Sequence, residues 1–189
     1  ELTDKVTVTI TEKSGSEKYD GKEKTVAGYD VKISNELYTV DDFTFSGEAT
    51  VKGTDAGSYN MELKPADFTN TNKNFKNVEF VIVDGTLEIS KRTVTLTSAD
   101  EEKVYDGTAL TNSTVTAGGD GFAEGEGATY DVTGTITEVG ETANAFTYTL
   151  NEGTKADNYT ITKVEGTLTV TELTDKVTVT ITEKSGSEK

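Results

Sequence analysis

The first eighteen residues, ELTDKVTVTITEKSGSEK, recur without a change at 172–189. An identity of that length does not arise by chance. It implies a unit of 171 residues (172 minus 1), present once in full and followed by the opening of the next. The expectation is an internal piece of a longer array, in which each unit must bury its own apolar face or share it with a neighbour.

A second, diverged repeat lies inside the unit. Tyr19-Asp20-Gly21 returns as Tyr105-Asp106-Gly107, each time after a Thr-rich stretch, and VDGTLEIS (83–90) returns as VEGTLTVT (164–171). Between these anchors, FTFSGEATVKGTDAGSYNMEL (43–63) aligns without gaps on YDVTGTITEVGETANAFTYTL (130–150). That sets Gly53 on Gly140, Tyr59 on Phe146 and Leu63 on Leu150. The first copy carries extra residues around PADFTNTNKNF. The expected organisation is a first repeat over 1–91, a second over 92–171, and the first strand of a third over 172–189. Only Lys91 and Arg92 separate the last strand of one repeat from the first of the next, with no Gly/Ser or Pro-rich linker. Such a junction restricts swivelling and favours an elongated arrangement.

The local period is 2. Val6, Val8 and Ile10 alternate with Thr7, Thr9 and Thr11; Tyr59, Met61 and Leu63 alternate with polar residues; Leu87 with Ile89 and Leu168 with Val170 close the copies. These are strands with one buried and one wet face, punctuated by Gly, Asn and Asp. The fold class is therefore all-β: two tandem Ig-like, β-sandwich repeats, with a β-grasp-like module as the alternative. An apolar content of 33% suffices because it falls on alternate positions. Pro65, the one proline, sits where Pro-Ala-Asp-Phe predicts a single helical turn.

Composition removes whole classes of function. Against 34 Asp+Glu stand 18 Lys+Arg, a formal net charge of -16, which repels nucleic acid and anionic membrane. There is no Cys and no His, hence no disulfide, no thiolate, and neither the commonest general base nor the commonest transition-metal ligand. Absence of Gln excludes a Thr–Gln ester cross-link, and Trp, the best platform for sugars, is missing too. No enzyme and no cofactor is expected.

Taken in order, KYDGKEKTV, DAGSY and DGTLEIS in the first repeat, and KVYDGTAL, NYTI and EGTLTVT in the second, resemble the MBG/YDG-type tandem repeat modules of bacterial cell-surface adhesins. The resemblance implies an extracellular, all-β repeat of a long, cell-wall-anchored protein at the bacterial surface. With the short junction, it suggests a structural spacer or stalk that projects a distal binding domain. Its partners would be the adjacent repeat modules of the same chain. The alternative is a module that binds host glycan or protein through Tyr38, Tyr130 and Tyr159.

The individual motifs have plainer readings beside these. In Tyr-Asp-Gly, glycine supplies a positive φ, Asp bonds the turn backbone and Tyr packs with its hydroxyl satisfied. Asp41-Asp42 and GGDGFAEGEG (118–127) are the best calcium candidates, yet neither has the spacing of a dedicated calcium loop. The rows Thr7/Thr9/Thr11, Thr93/Thr95/Thr97 and Thr178/Thr180/Thr182 are ordinary strand threonines rather than an ice-binding array. Lys32 points away from Val31 and Ile33, against a buried isopeptide link. Residues 173–189 are expected to be an ordered strand, with Val177, Val179 and Ile181 held by a neighbouring molecule, so that a monomer exchanges strands end to end.

Overall fold

A computed structural model describes residues 5–183, which form eighteen strands, three short 3-10 turns and no α-helix. In the first repeat the strands are β1 (Val6–Glu12), β2 (Gly15–Lys18), β3 (Lys24–Ala27), β4 (Tyr29–Ile33), β5 (Phe43–Phe45), β6 (Thr50–Gly53), β7 (Gly57–Asn60), β8 (Phe68–Asn70), β9 (Val78–Val83) and β10 (Thr86–Ser90). In the second they are β11 (Arg92–Ser98), β12 (Glu101–Val104), β13 (Val115–Gly119), β14 (Ala128–Val132), β15 (Gly140–Ala143), β16 (Phe146–Leu150), β17 (Tyr159–Val164) and β18 (Thr167–Thr171). The turn expected at Pro65 is a 3-10 turn, Pro65–Asp67, with proline where its missing N–H is not needed.

The chain is all-β, and its repeats are sandwich-like. Strand orders correspond between the copies: β4-β1-β9 and β2-β10-β7 in the first, β13-β11-β17 and β12-β18-β15 in the second. The pairings β1/β9 and β2/β10 are parallel, each flanked by an antiparallel neighbour. Parallel pairing follows from two segments, 6–18 and 78–90, that each cross from one sheet to the other at the same level. Val6, Val8, Ile10 and Leu87 are wholly buried between the sheets, as the alternation requires.

At that crossing the two backbones nearly touch. A Cβ on Gly85 would lie 2.3 Å from the Lys13 carbonyl oxygen, so no larger residue fits. Gly166 faces the same constraint, 2.5 Å from the Ser98 carbonyl. The glycine of the GTL motif is therefore a corner residue. Beside it the first repeat buries a carboxylate: Glu12, 3% exposed, accepts the N–H groups of Leu63 and Gly85, each at 2.7 Å. The second repeat solves the same corner without charge. Ser98 accepts from the Gly166 N–H (2.9 Å) and donates to the Asn144 carbonyl (2.6 Å), while the Asn144 amide donates to the Ala99 and Asn112 carbonyls.

These contacts correct the gapless alignment of 43–63 on 130–150. Met61 N–H donates to Gly85 and Asn144 N–H to Gly166. Gly57 stands opposite Ile89 and Gly140 opposite Val170, both with positive φ. Gly57 thus corresponds to Gly140, and Leu63 to Phe146. Pairing with the last strand sets the equivalence, whereas the sequence match followed glycine and aromatic identities four residues out of step.

By compactness the chain divides into two units. One comprises the chain to Leu96 with Ala117–Thr129 and Thr149–Lys163; the other comprises Thr97–Thr116, Tyr130–Tyr148 and the chain from Val164. In the first, an aromatic cluster fills out the core: Phe68 packs on Phe43, Phe45, Phe80 and Tyr29, and Phe75 packs edge-on against Tyr38. Phe68 and Phe75 come from the stretch PADFTNTNKNF (65–75) of the first repeat. In the second unit Leu110, Leu168 and Val170 form the core, with Tyr105 and Ile136 packed against it.

The expectation of an ordered strand over 173–189 is corrected for the residues described. Up to Glu183 the segment forms no strand, and Val177, Val179 and Ile181 are 78%, 76% and 85% exposed. Residues 184–189 lie outside the described range. The same sequence is a strand as β1 because β4 and β9 flank it there; without those partners its backbone gains nothing from pairing. Deleting 173–189 is expected to leave the melting temperature of the remaining chain within about 1 °C, since exposed segments contribute little. A larger drop by calorimetry contradicts this assignment.

Candidate functional site

Inside the first compact unit, the Tyr19-Asp20-Gly21 turn of the first repeat meets two loops of the second. Strand β10 ends at Ser90 and β11 begins at Arg92, leaving Lys91 as the whole connection. Tyr19 is tied to β10 through its N–H, which donates to the Ser90 carbonyl (2.9 Å). Its ring, 3% exposed, packs edge-on against Tyr159, and Phe122 also packs edge-on against Tyr159. Both tyrosyl hydroxyls donate to the Glu126 carboxylate, Tyr159 at 2.8 Å, and the Tyr159 hydroxyl also accepts from the Ala123 N–H (3.0 Å).

Arg92 closes this arrangement from the first position of β11. Its guanidinium donates to the carbonyls of Tyr19 (3.3 Å), Gly121 (2.9 Å) and Asp120, so one planar fork holds both repeats. On the other flank Asn158, wholly buried, accepts the Ala56 N–H (2.7 Å) and donates to Asp55 (3.0 Å), which also pairs with Lys155 at 2.6 Å. Lys18 pairs with Asp120 at 2.6 Å. Lys18 and the Thr93 donors hold the Asp120 carboxyl well below the usual carboxylate range; Lys155 and Asn158 lower that of Asp55. These ion pairs are screened by solvent and contribute little. Buried Tyr19, Asn158 and the Arg92 fork carry the joint.

The structure takes the sequence candidates apart accordingly. Within 118–127, Asp120 and Glu126 spend their oxygens on Lys18, Thr93, Tyr19 and Tyr159. Asp42 caps the turn Val40–Asp42, accepting from the Thr39 N–H (2.7 Å) and the Asn72 amide (2.8 Å). Thr39 foremost, these donors hold its carboxyl below the ordinary value. Among the described residues no three acidic side chains gather as metal ligands would. The binding reading for Tyr38 and Tyr159 is corrected, since their rings are 2% and 4% exposed and present no face to a sugar. Tyr130 is half-buried against Phe146. Lys32 is exposed, and Thr7 and Thr9 lie half-buried in a central strand.

The comparison with family models matches residues 6–91 to the MBG domain. Residues 6–91 are therefore similar to the MBG domain, consistent with an MBG-type repeat module. MBG domains are repeat modules found in extracellular surface proteins, a family not known as enzymatic. Neither the curated proteins nor the solved structures contain a match to the chain.

In the first repeat the Tyr-Asp-Gly turn has the geometry expected of it. Gly21 has φ +79, and Asp20 accepts from the Lys22 N–H (2.9 Å) and the Lys24 ammonium (2.6 Å). The second repeat copies it: Gly107 has φ +79, Asp106 accepts from Thr108 and Lys103, and the Tyr105 N–H donates to Thr171 (2.8 Å). Sequence reasoning missed Arg92 and Asn158, and took Glu126 only as part of a calcium candidate. The available signal was the arginine itself, the only one in the chain, placed directly after the one-residue connection between the repeats.

Burial, and then the bond to Glu126, raise the Tyr19 hydroxyl from its ordinary value near 10 to about 12. The folded first repeat therefore holds this proton more tightly than the unfolded chain. Its contribution is complete below pH 10 and is lost as the pH climbs through about 12. The melting temperature is expected to fall across that window, and less steeply in Tyr19→Phe. Equal slopes for the two proteins contradict the assignment. Tyr38, Tyr130 and Tyr159 are raised by burial as well and supply the remaining slope.

Proposed function

We propose that this chain is a spacer segment in the stalk of a repetitive bacterial surface adhesin, anchored in the cell wall and holding a distal binding domain away from it. The observation that carries the reading is the joint: one connecting residue, an arginine fork on three carbonyls, and a buried tyrosine pair sharing one carboxylate. A binding module has no need to fix its neighbour in this way, whereas a spacer does. The recurrence of 1–18 at 172–189 supplies the second requirement, a unit that extends by addition. A net charge of -16 keeps neighbouring stalks apart.

The test is length against copy number. Arrays of one, two and four units are expected to show contour lengths in electron micrographs that grow in proportion to the number of units. Particles whose extent does not grow with added units contradict the spacer. A glycan array probed with the chain at high density addresses the rival; reproducible binding there favours a host-glycan module.

A further inference from the structure

The joint has two halves, and each repeat carries both. The half on the first repeat is the end that bears Lys18, Tyr19 and Ala56; the half on the second is the loop over 120–126 together with Asn158. By strand pairing, the second repeat has at its corresponding end Val104 for Lys18, Tyr105 for Tyr19 and Val139 for Ala56. The first repeat has at its corresponding loop Ser34 for Asp120. The Thr7 and Thr93 N–H groups identify that pair, donating to Ser34 (2.9 Å) and to Asp120 (2.9 Å). The alignment of 83–90 on 164–171, carried back along the strand, sets Asn77 against Asn158.

Two features of this second set are unlike the first. The ion pair Lys18–Asp120 is replaced at both positions at once, by Val104 and Ser34, and neither replacement carries charge. Large apolar side chains also stand in solvent on both surfaces. Val104 is 52% exposed and Val139 49% exposed on one end; Leu37 is 70% exposed and Val40 57% exposed on the loop that starts at Ser34. Exposed aliphatic side chains on two surfaces equivalent to a filled joint are what a joint between uncharged faces looks like before its partner arrives. The stretch Glu172–Lys176 precedes the copy of β1, where Lys91 alone stands at the first joint. A longer tether leaves positioning to the docking surfaces.

We propose that the Val104–Tyr105–Val139 end of one unit docks onto the Ser34–Asp42 loop of the next, with Asn77 accepting the Val139 N–H, so that polar and apolar joints alternate along the array. This rests on the spacer reading and names the partner of its second joint, another copy of this chain. Arg92 has no counterpart in the second joint, since Val6 holds the corresponding place in β1 and is wholly buried. The apolar joint therefore lacks the fork that spans both repeats in the polar one.

The test uses two consecutive units, 1–171 joined to the full 189-residue chain, in which any introduced cysteine is unique because the sequence has none. Val104→Cys in the leading unit and Leu37→Cys in the following one are treated with a short bis-maleimide. Lys22→Cys with Glu124→Cys, whose side chains pair at 3.9 Å across the first joint, is the control in a single chain. Cross-linking of both pairs, independent of protein concentration, is the expected result. If the control links and the Val104/Leu37 pair does not, or links only between separate molecules, the second joint is overturned and the spacer reading stands. If neither links, both are overturned. Amide exchange on the unsubstituted proteins gives an independent reading: the Val139 N–H is expected to slow at least tenfold on passing from the single chain to the two-unit chain. An unchanged rate overturns the proposal.

Discussion

Glu12→Ala is expected to be the most damaging single substitution in the first repeat. It strands the buried N–H groups of Leu63 and Gly85, both now bonded to the Glu12 carboxylate at 2.7 Å. Each orphaned donor costs about 1–3 kcal/mol, so the loss is about 3 kcal/mol or more. For a chain of this size, that lowers the melting temperature by roughly 6–12 °C. Glu12→Gln retains one acceptor but turns an NH2 towards the other donor, and falls between wild type and alanine. The second repeat offers a control drawn from the molecule itself. Transplanting its uncharged corner, Glu12→Ser with Met61→Asn, is expected to recover part of the alanine loss. A Glu12→Ala protein that melts with the wild type contradicts this account of the corner.

Arg92→Ala is expected to have the next largest effect, concentrated at the joint. Three carbonyls lose a charged donor, two on the loop of the second repeat and one on Tyr19. At about 1.5–3 kcal/mol for a hydrogen bond to a charged group, discounted because the site is only half-buried, the loss is about 2–3 kcal/mol. Arg92→Lys recovers little, since a point charge cannot bridge three carbonyls in one plane. Lys18→Ala removes a solvent-screened ion pair at the same joint and is expected to cost clearly less than Arg92→Ala. The ranking is the informative result. Equal effects of Arg92→Ala and Lys18→Ala on urea midpoint mean that the fork is not what holds the repeats.

What could be read in the sequence followed from the period of 2 and from the repeats. The alternation of Val6, Val8 and Ile10 placed three side chains that are wholly buried, and Tyr-Asp-Gly was legible as a turn because the physics of positive φ and of an Asx bond is local. The parallel pairing β1/β9 was not legible, because it depends on two segments crossing sheets far apart in the chain. Glu12 looked like any of 34 acids until Gly85 was seen to bring its N–H to it. Tyr159 looked like a ligand platform and Glu126 like a calcium ligand for the same reason: each spends its polar group on a partner in a distant segment. The segment 172–183 misled in the opposite direction. Its apolar alternation is that of β1, but alternation describes which face would be buried, not whether anything lies against it.

The joint is tested most directly at one backbone amide. Ala56 belongs to the first repeat, and its N–H is held by the Asn158 side chain of the second at 2.7 Å. Hydrogen exchange at Ala56, followed by NMR in the intact chain and in Asn158→Ala, reads the contact without reference to global stability. The expected result is slow exchange in the intact chain and a rise of at least tenfold in the variant, with Val8 and Ile10 in the core of the first repeat unchanged. Free exchange at Ala56 in the intact chain, or a rate indifferent to Asn158, contradicts the joint and with it the spacer.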